Sequence, residues 1–222
     1  MAPTHYAVLL FQGFQALDVF GPLDPLNLLA PKHPITLSLI GPSLCPISTL
    51  PPTNKESGSL FSESIQPTHT YANPPSNIDV LIIPGGSGVR HEETVLPVIN
   101  VAKDLAPRVQ TIFTVCTGSL VLARTGLLDG KRATTNKVRY NEVSTRCPDV
   151  QWVRHARWVV EDEGRIWTSS GVSAGIDAML AFLEGQYGKE LVGKVATVME
   201  YSRADGPDDD PFTWAIDAGI EL

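Results

Sequence analysis

"VQTIFTVCTGSLVLARTGLLDG", Val109 to Gly130, is the stretch on which the fold turns. Residues 109–115 are rich in β-branched and aromatic side chains, as expected of a buried strand. Cys116 ends the run. Small polar residues follow at once, then leucines and valines at helical spacing up to a glycine stop. A buried strand that turns sharply into a helix leaves two readings of Cys116. It is either a core residue that closes a strand or a nucleophile held at the turn. Backbone N–H groups at the start of a helix have no partner within it. They would stabilise a thiolate, lowering its pKa from about 8.5, and could receive charge developing on a substrate. That is the physics of a nucleophile elbow, with cysteine in the serine's place.

The same alternation extends outward. "YAVLLF" (6–11), "ITLSLIG" (35–41) and "IDVLIIPGG" (78–86) read as strands, the last running straight into a glycine loop. Residues 16–29 have helical spacing at Leu17, Phe20, Leu23 and Leu26, but Pro22 and Pro25 should kink or interrupt that helix. Helices are also expected over 94–107, 138–148, 175–188 and 190–201. "KRATTN" is a short strand leading to a loop, and two further strands between 150 and 170 meet in a hairpin at Glu163-Gly164. Residues 42–77, rich in Pro, Ser, Thr and Asn, read as loops with a short strand or two around "SLFSES". Strands alternating with helices predict an α/β fold, a flavodoxin-like three-layer sandwich whose mostly parallel sheet carries helices on both faces. Ligand sites in such folds lie in loops at the carboxyl ends of central strands. The "PGGSG" and "CTGS" loops qualify.

Composition narrows the function classes. With 222 residues, 43% hydrophobic and 18% charged, the chain can bury a substantial core. We expect an α/β domain over 1–202 and a C-terminal tail over 203–222 that packs on the domain or on a partner subunit. A net charge of −7 without a basic stripe argues against nucleic acid and anionic membranes as partners. No apolar run is long enough to span a bilayer, and "MAPTHYAVLLF" lacks the features of a secretory leader. Cys45, Cys116 and Cys147 form no CxxC pair, and the five histidines show no helical ligand spacing. Neither a disulfide framework nor a metal site is expected, and a cytoplasmic location follows.

Three blocks, "IDVLIIPGG", "VCTGSLVLARTGLLDGKRATT" and "SSGVSAGIDAMLAFL", resemble the ThiJ/PfpI superfamily, also described as class I glutamine-amidotransferase-like. The opening "AVLLFQGFQALDVFGPLDPLN" is similar to the branch containing isonitrile hydratases and the amino-terminal domains of some AraC-type regulators. The resemblance covers roughly residues 6–200. It implies that Cys116 is a nucleophile in a strained backbone conformation and that Asp18 is the acid approaching it from the first helix. It also implies that the backbone N–H and hydroxyl of Thr117 face the pocket, and that Gly85 and Gly86 supply a second backbone donor. Gly21 and Pro22 match the turn that places the acid. A carboxyl beside a thiolate would have a raised pKa and could hold and pass a proton. The plainer reading of Asp18 is a helix N-terminal aspartate.

Many superfamily members carry a histidine after the "RATT" block, and Asn136 stands there instead. Asparagine can orient groups but cannot act as a general base, which weakens amide hydrolysis and leaves a Cys–Asp mechanism intact. His91 and His155 are read as surface or structural residues. The implied activity is hydration of an isocyanide to an N-substituted formamide, without cofactor or metal, by a cytoplasmic homodimer acting on a small molecule. Glyoxalase-like chemistry, a specialised biosynthetic lyase or hydratase, and a non-enzymatic redox-sensing or structural dimer are the alternatives. Ser173 and Asp177 either support the elbow from behind or, for Asp177, serve the first turn of a helix. "GPDDDP" (206–211) reads as a solvated loop, and Trp152, Trp158 and Trp167 read as core packing before pocket lining.

Overall fold

Val80–Ile83 and Thr111–Thr114 form the centre of the sheet, side by side and parallel, with every residue of both buried. The computed structural model describes residues 2–53 and 58–220. Its strands are β1 (His5–Leu9), β2 (Thr36–Gly41), β3 (Ile47–Ser48), β4 (Ser64–Ile65), β5 (His69–Thr70), β6 (Val80–Ile83), β7 (Thr111–Thr114), β8 (Arg132–Ala133), β9 (Gln151–Trp152), β10 (Trp158–Glu161) and β11 (Ile166–Ser169). Its α-helices are α1 (Ala16–Leu29), α2 (Glu92–Leu105), α3 (Gly118–Ala123), α4 (Tyr140–Arg146), α5 (Ala174–Tyr187) and α6 (Lys189–Val198).

The main sheet has seven strands in the order β10-β11-β7-β6-β1-β2-β5. All pairs are parallel except β10 with β11, which meet across a tight turn at Asp162–Gly164. The run β2-β1-β6-β7-β11 is the flavodoxin-like order, and the connections leave in opposite directions between β1 and β6. Right-handed crossovers then put α1, α5 and α6, which pack together, on one face, and α2 with α3 on the other. This is the expected mostly parallel three-layer α/β sandwich. The loop region 42–77 contributes the β3–β4 pair and the edge strand β5, and residues 54–57 lie outside the described residues. Trp158 is buried, and Trp167 lies 6.3 Å from Phe113 and 5.5 Å from Phe182, ring centre to ring centre, in core packing.

The expected interruption at Pro22 and Pro25 does not occur, and α1 runs unbroken through both. Each proline removes one N–H from the helix. Burial of Val19, Pro22, Leu23, Pro25, Leu26 and Leu29 outweighs that loss. Gly21 therefore lies inside a helix, not at a turn between elements. A Cβ there would come within 2.9 Å of Ile176 on α5, so Gly21 sets the spacing between α1 and α5.

The tail folds back on the domain. Asp177, on α5, pairs with Arg157 at 2.7 Å and also accepts from Tyr201 and from the Ala204 N–H. The Arg157 N–H donates to the Pro207 carbonyl. Asp177 thus anchors the chain after α6 and does not touch the elbow. The Ser173 carbonyl likewise accepts from Tyr201. Nor is "GPDDDP" wholly solvated, because the Asp210 side chain is fully buried 3.5 Å from the buried Lys137 ammonium. An ammonium out of water needs a counter-charge. Burial still outweighs that attraction and brings the Lys137 pKa down to about 8. Asp210→Ala should cost roughly 1–3 kcal/mol. Its melting temperature should fall further below wild type at pH 6, where Lys137 is charged, than at pH 9.

Candidate active site

Three loops at the carboxyl ends of β1, β6 and β7 meet around Cys116. The chain leaves β7 and turns at Cys116 with φ = 58°, left-handed backbone that a side chain rarely adopts. The conformation is locked from several sides. The Cys116 N–H donates to the Ser170 carbonyl at 3.0 Å. The Cys116 carbonyl accepts from the Ser119 and Thr135 hydroxyls at 3.0 and 3.2 Å. Strain of about 1–3 kcal/mol persists only where surroundings over-determine it.

The sulfur is almost entirely buried. The Thr117 N–H, the Val172 N–H and the Asn136 side chain stand beside it and favour its thiolate form. Val172 also has positive φ, 38°, costly for a β-branched residue, and this conformation brings its N–H to the thiol. Asn136 is held in turn, its Oδ1 accepting the Arg139 N–H at 3.1 Å.

Asp18 lies in the first turn of α1, as the plainer reading has it, and is fully buried. Its Oδ2 accepts the Gly85 N–H at 2.9 Å, and the Gly85 carbonyl accepts the Gln15 N–H at 2.9 Å, tying the β6 loop to the start of α1. The neighbouring Cys116 thiol favours the ionised carboxyl, whose buried Oδ1 has no hydrogen-bond partner among the described residues. Burial raises Asp18 to about 7, against smaller lowering by the Gly85 N–H and the thiol. Burial also pushes the Cys116 thiol up to about 12, assisted by the Asp18 charge and opposed by its three donors. The expected lowering of the thiol pKa is therefore reversed. The donors are present, but loss of water and a neighbouring carboxylate outweigh them. At rest the pair holds a thiol beside a half-ionised acid.

The Gly85-Gly86 loop also differs from expectation. Its N–H groups are engaged internally, Gly85 with Asp18 and Gly86 with the Thr117 hydroxyl at 3.2 Å, so neither is free for a substrate oxygen. The loop brings β6 close to the elbow instead. A Cβ at Gly85 would lie 2.5 Å from Thr117 Oγ1 and 2.6 Å from its nitrogen. Gly85→Ala should lower stability by about 1–3 kcal/mol through forced displacement of the elbow, read as a lower thermal midpoint.

Cys116 lines a cavity of about 230 Å³, with Asp18 buried behind it, and the apolar wall of this cavity includes Val89, Leu120, Val138 and Val172 and its polar groups Gln15, Asn136, Arg90, Arg139 and Glu142. No histidine lines it. His155 is exposed, and His91 precedes α2 and is not among the residues that line the cavity. Val172, Arg90 and Arg139 were not among the residues singled out in the sequence. A lone valine gives no chemical signal, and neither arginine belongs to a motif.

The chain is 32% identical to the isonitrile hydratase of Pseudomonas putida over 200 residues, 88% of this chain and 78% of that protein. It is 26% identical over 201 residues to the HTH-type transcriptional regulator GbdR of Pseudomonas aeruginosa, covering 90% of this chain but 52% of the regulator. A ThiJ/PfpI family protein from Pseudomonas syringae has a similar fold, with a TM-score of 0.73 at 23% identity over 98% of this chain and 90% of that one. The family model for the DJ-1/PfpI family matches residues 5–185, and the chain belongs to that family.

Proposed function

We infer that the protein is an isocyanide hydratase in which Cys116 is the nucleophile and Asp18 the acid and base. The observation that carries this reading is the buried Cys116–Asp18 pair, with Asp18 raised to about 7 and no histidine on the cavity wall. The similarity to an isonitrile hydratase supports it. A group titrating near neutral pH can give a proton and take one back in the same cycle.

The steps balance with water as the only co-substrate. The isocyanide R–N≡C enters with its terminal carbon toward Cys116. The thiol proton passes by way of Asp18 to that carbon as sulfur bonds to it, giving the thioimidate R–N=CH–S–Cys. The Thr117 and Val172 N–H groups and Asn136 stabilise the negative charge on sulfur during attack. Asp18, now a carboxylate, takes a proton from water as its oxygen adds to the same carbon. The proton of the added hydroxyl passes to nitrogen, the C–S bond breaks as the C=O bond forms, Asp18 returns its proton to sulfur, and R–NH–CHO leaves. The carbon's hydrogen and the formyl oxygen both come from water in net terms, so no redox partner is needed.

The raised thiol pKa and burial of Cys116 favour this reading over redox sensing, which needs an exposed, low-pKa thiolate. Asn136 in place of a histidine removes the base that glyoxalase-like chemistry would use. The test is incubation of the purified protein with a panel of alkyl and aryl isocyanides, following N-substituted formamides. Formamide formed catalytically supports the reading. No turnover of any member sinks it.

A further inference from the structure

Arg90 and Arg139 have no role in the hydration steps. The chain has ten arginines, and seven of them form ion pairs. Two of the other three, Arg90 and Arg139, line the Cys116 cavity. Both also line an adjoining cleft of about 380 Å³, together with Gln15 and Ser87, so they stand where the cavity meets the outer cleft. The carboxylate on the cavity wall, Glu142, is already paired with Arg146 at 3.5 Å. Glu63 lines only the outer cleft. Two cations with no ion-pair partner among the described residues, at the entrance to a reactive thiol on a chain of net charge −7, make the site locally attractive to anions. A guanidinium matches a carboxylate in shape and can donate two parallel hydrogen bonds. Arg139 is also tied through its backbone to Asn136, which contacts the sulfur, so a group held by Arg139 has a defined relation to the reacting atom.

We propose that the substrate is an isocyanide bearing a carboxylate, with Arg90 and Arg139 holding the carboxylate at the cavity mouth while the isocyano carbon reaches Cys116. The isocyano part of this proposal rests on the hydratase reading, and the carboxylate part rests on the arginines alone. The test compares isocyanoacetate with its methyl ester in wild type and in the R90Q/R139Q double variant. The wild type should prefer the acid in kcat/KM, and the acid-to-ester ratio should fall about tenfold or more in the variant, the factor a charge-assisted hydrogen bond supplies. Added salt should erode the preference. An unchanged ratio in the variant, or a wild type that prefers the ester, overturns the proposal.

A second readout is independent of hydration. The rates at which iodoacetate and iodoacetamide alkylate Cys116 are compared by mass spectrometry. Their ratio should fall about tenfold in R90Q/R139Q if the arginines draw a carboxylate to the thiol. An unchanged alkylation ratio overturns the carboxylate assignment. A fallen ratio without formamide from either isocyanide would overturn the hydratase reading and leave an anion-selective thiol site. Arg90 is exposed, so R90Q alone, checked by thermal unfolding, provides a folded control.

Discussion

Cys116→Ala should remove formamide formation, a fall of about 10⁴-fold or more, as expected when the atom that forms the covalent intermediate is deleted. The loss should appear in kcat and not as a raised KM, because the wall of Val89, Leu120 and Val138 that receives the substrate is untouched. Stability should change little. The left-handed turn is held by hydrogen bonds to the Cys116 backbone, and these survive the substitution. Cys116→Ser should not restore activity, since a buried hydroxyl ionises with far more difficulty than the thiol it replaces. Steady-state kinetics with a thermal melt separates these outcomes. Substantial turnover by a folded alanine variant would remove Cys116 from the mechanism.

Asp18→Asn should move activity and stability in opposite directions. Turnover should drop by about 10²–10⁴-fold, the range of general acid–base catalysis. The stability effect follows from where the proton sits. Asp18 titrates near 7 in the folded protein against a usual 3.8. The folded state therefore binds this proton more tightly than the unfolded chain. The associated stabilisation is fully present below about pH 4 and is lost as pH rises through about 7. Above that, holding the buried carboxylate costs a few kcal/mol, at about 1.4 kcal/mol per pKa unit. Asparagine never ionises. The variant should melt above wild type at pH 8, with the gap closing toward pH 4. In wild type, kcat/KM should rise with pH through about 7, because the cycle needs one proton in the pair and not two. A rate limb far from that pH would count against Asp18 as the proton carrier.

The elbow and the sheet were legible because their signals are local. Val109 to Cys116 is β-branched or apolar at every position but Gln110, and the turn residues follow within three positions, so strand, turn and helix show in one window. Asp18 was reached only through resemblance, since nothing in positions 16–29 indicates that a helix N-terminal aspartate will be buried against a thiol 98 residues away. The prolines of α1 misled because propensity is weak beside tertiary packing against α5. The thiol pKa was misjudged for a related reason. Donors can be anticipated from a strand-to-helix turn, but the loss of water that overrides them is a property of the assembled core. Val172, Asp210 and the two arginines come from separate segments and meet the site or its border only after folding.

The most direct test is rapid-quench intact-protein mass spectrometry during turnover of an isocyanide. A species heavier than the enzyme by the whole isocyanide, mapped to Cys116, should form before formamide and decay as formamide appears. It should be absent from Cys116→Ala. Formamide released at full rate with no adduct on Cys116, or an adduct that forms but never converts, would contradict the thioimidate route.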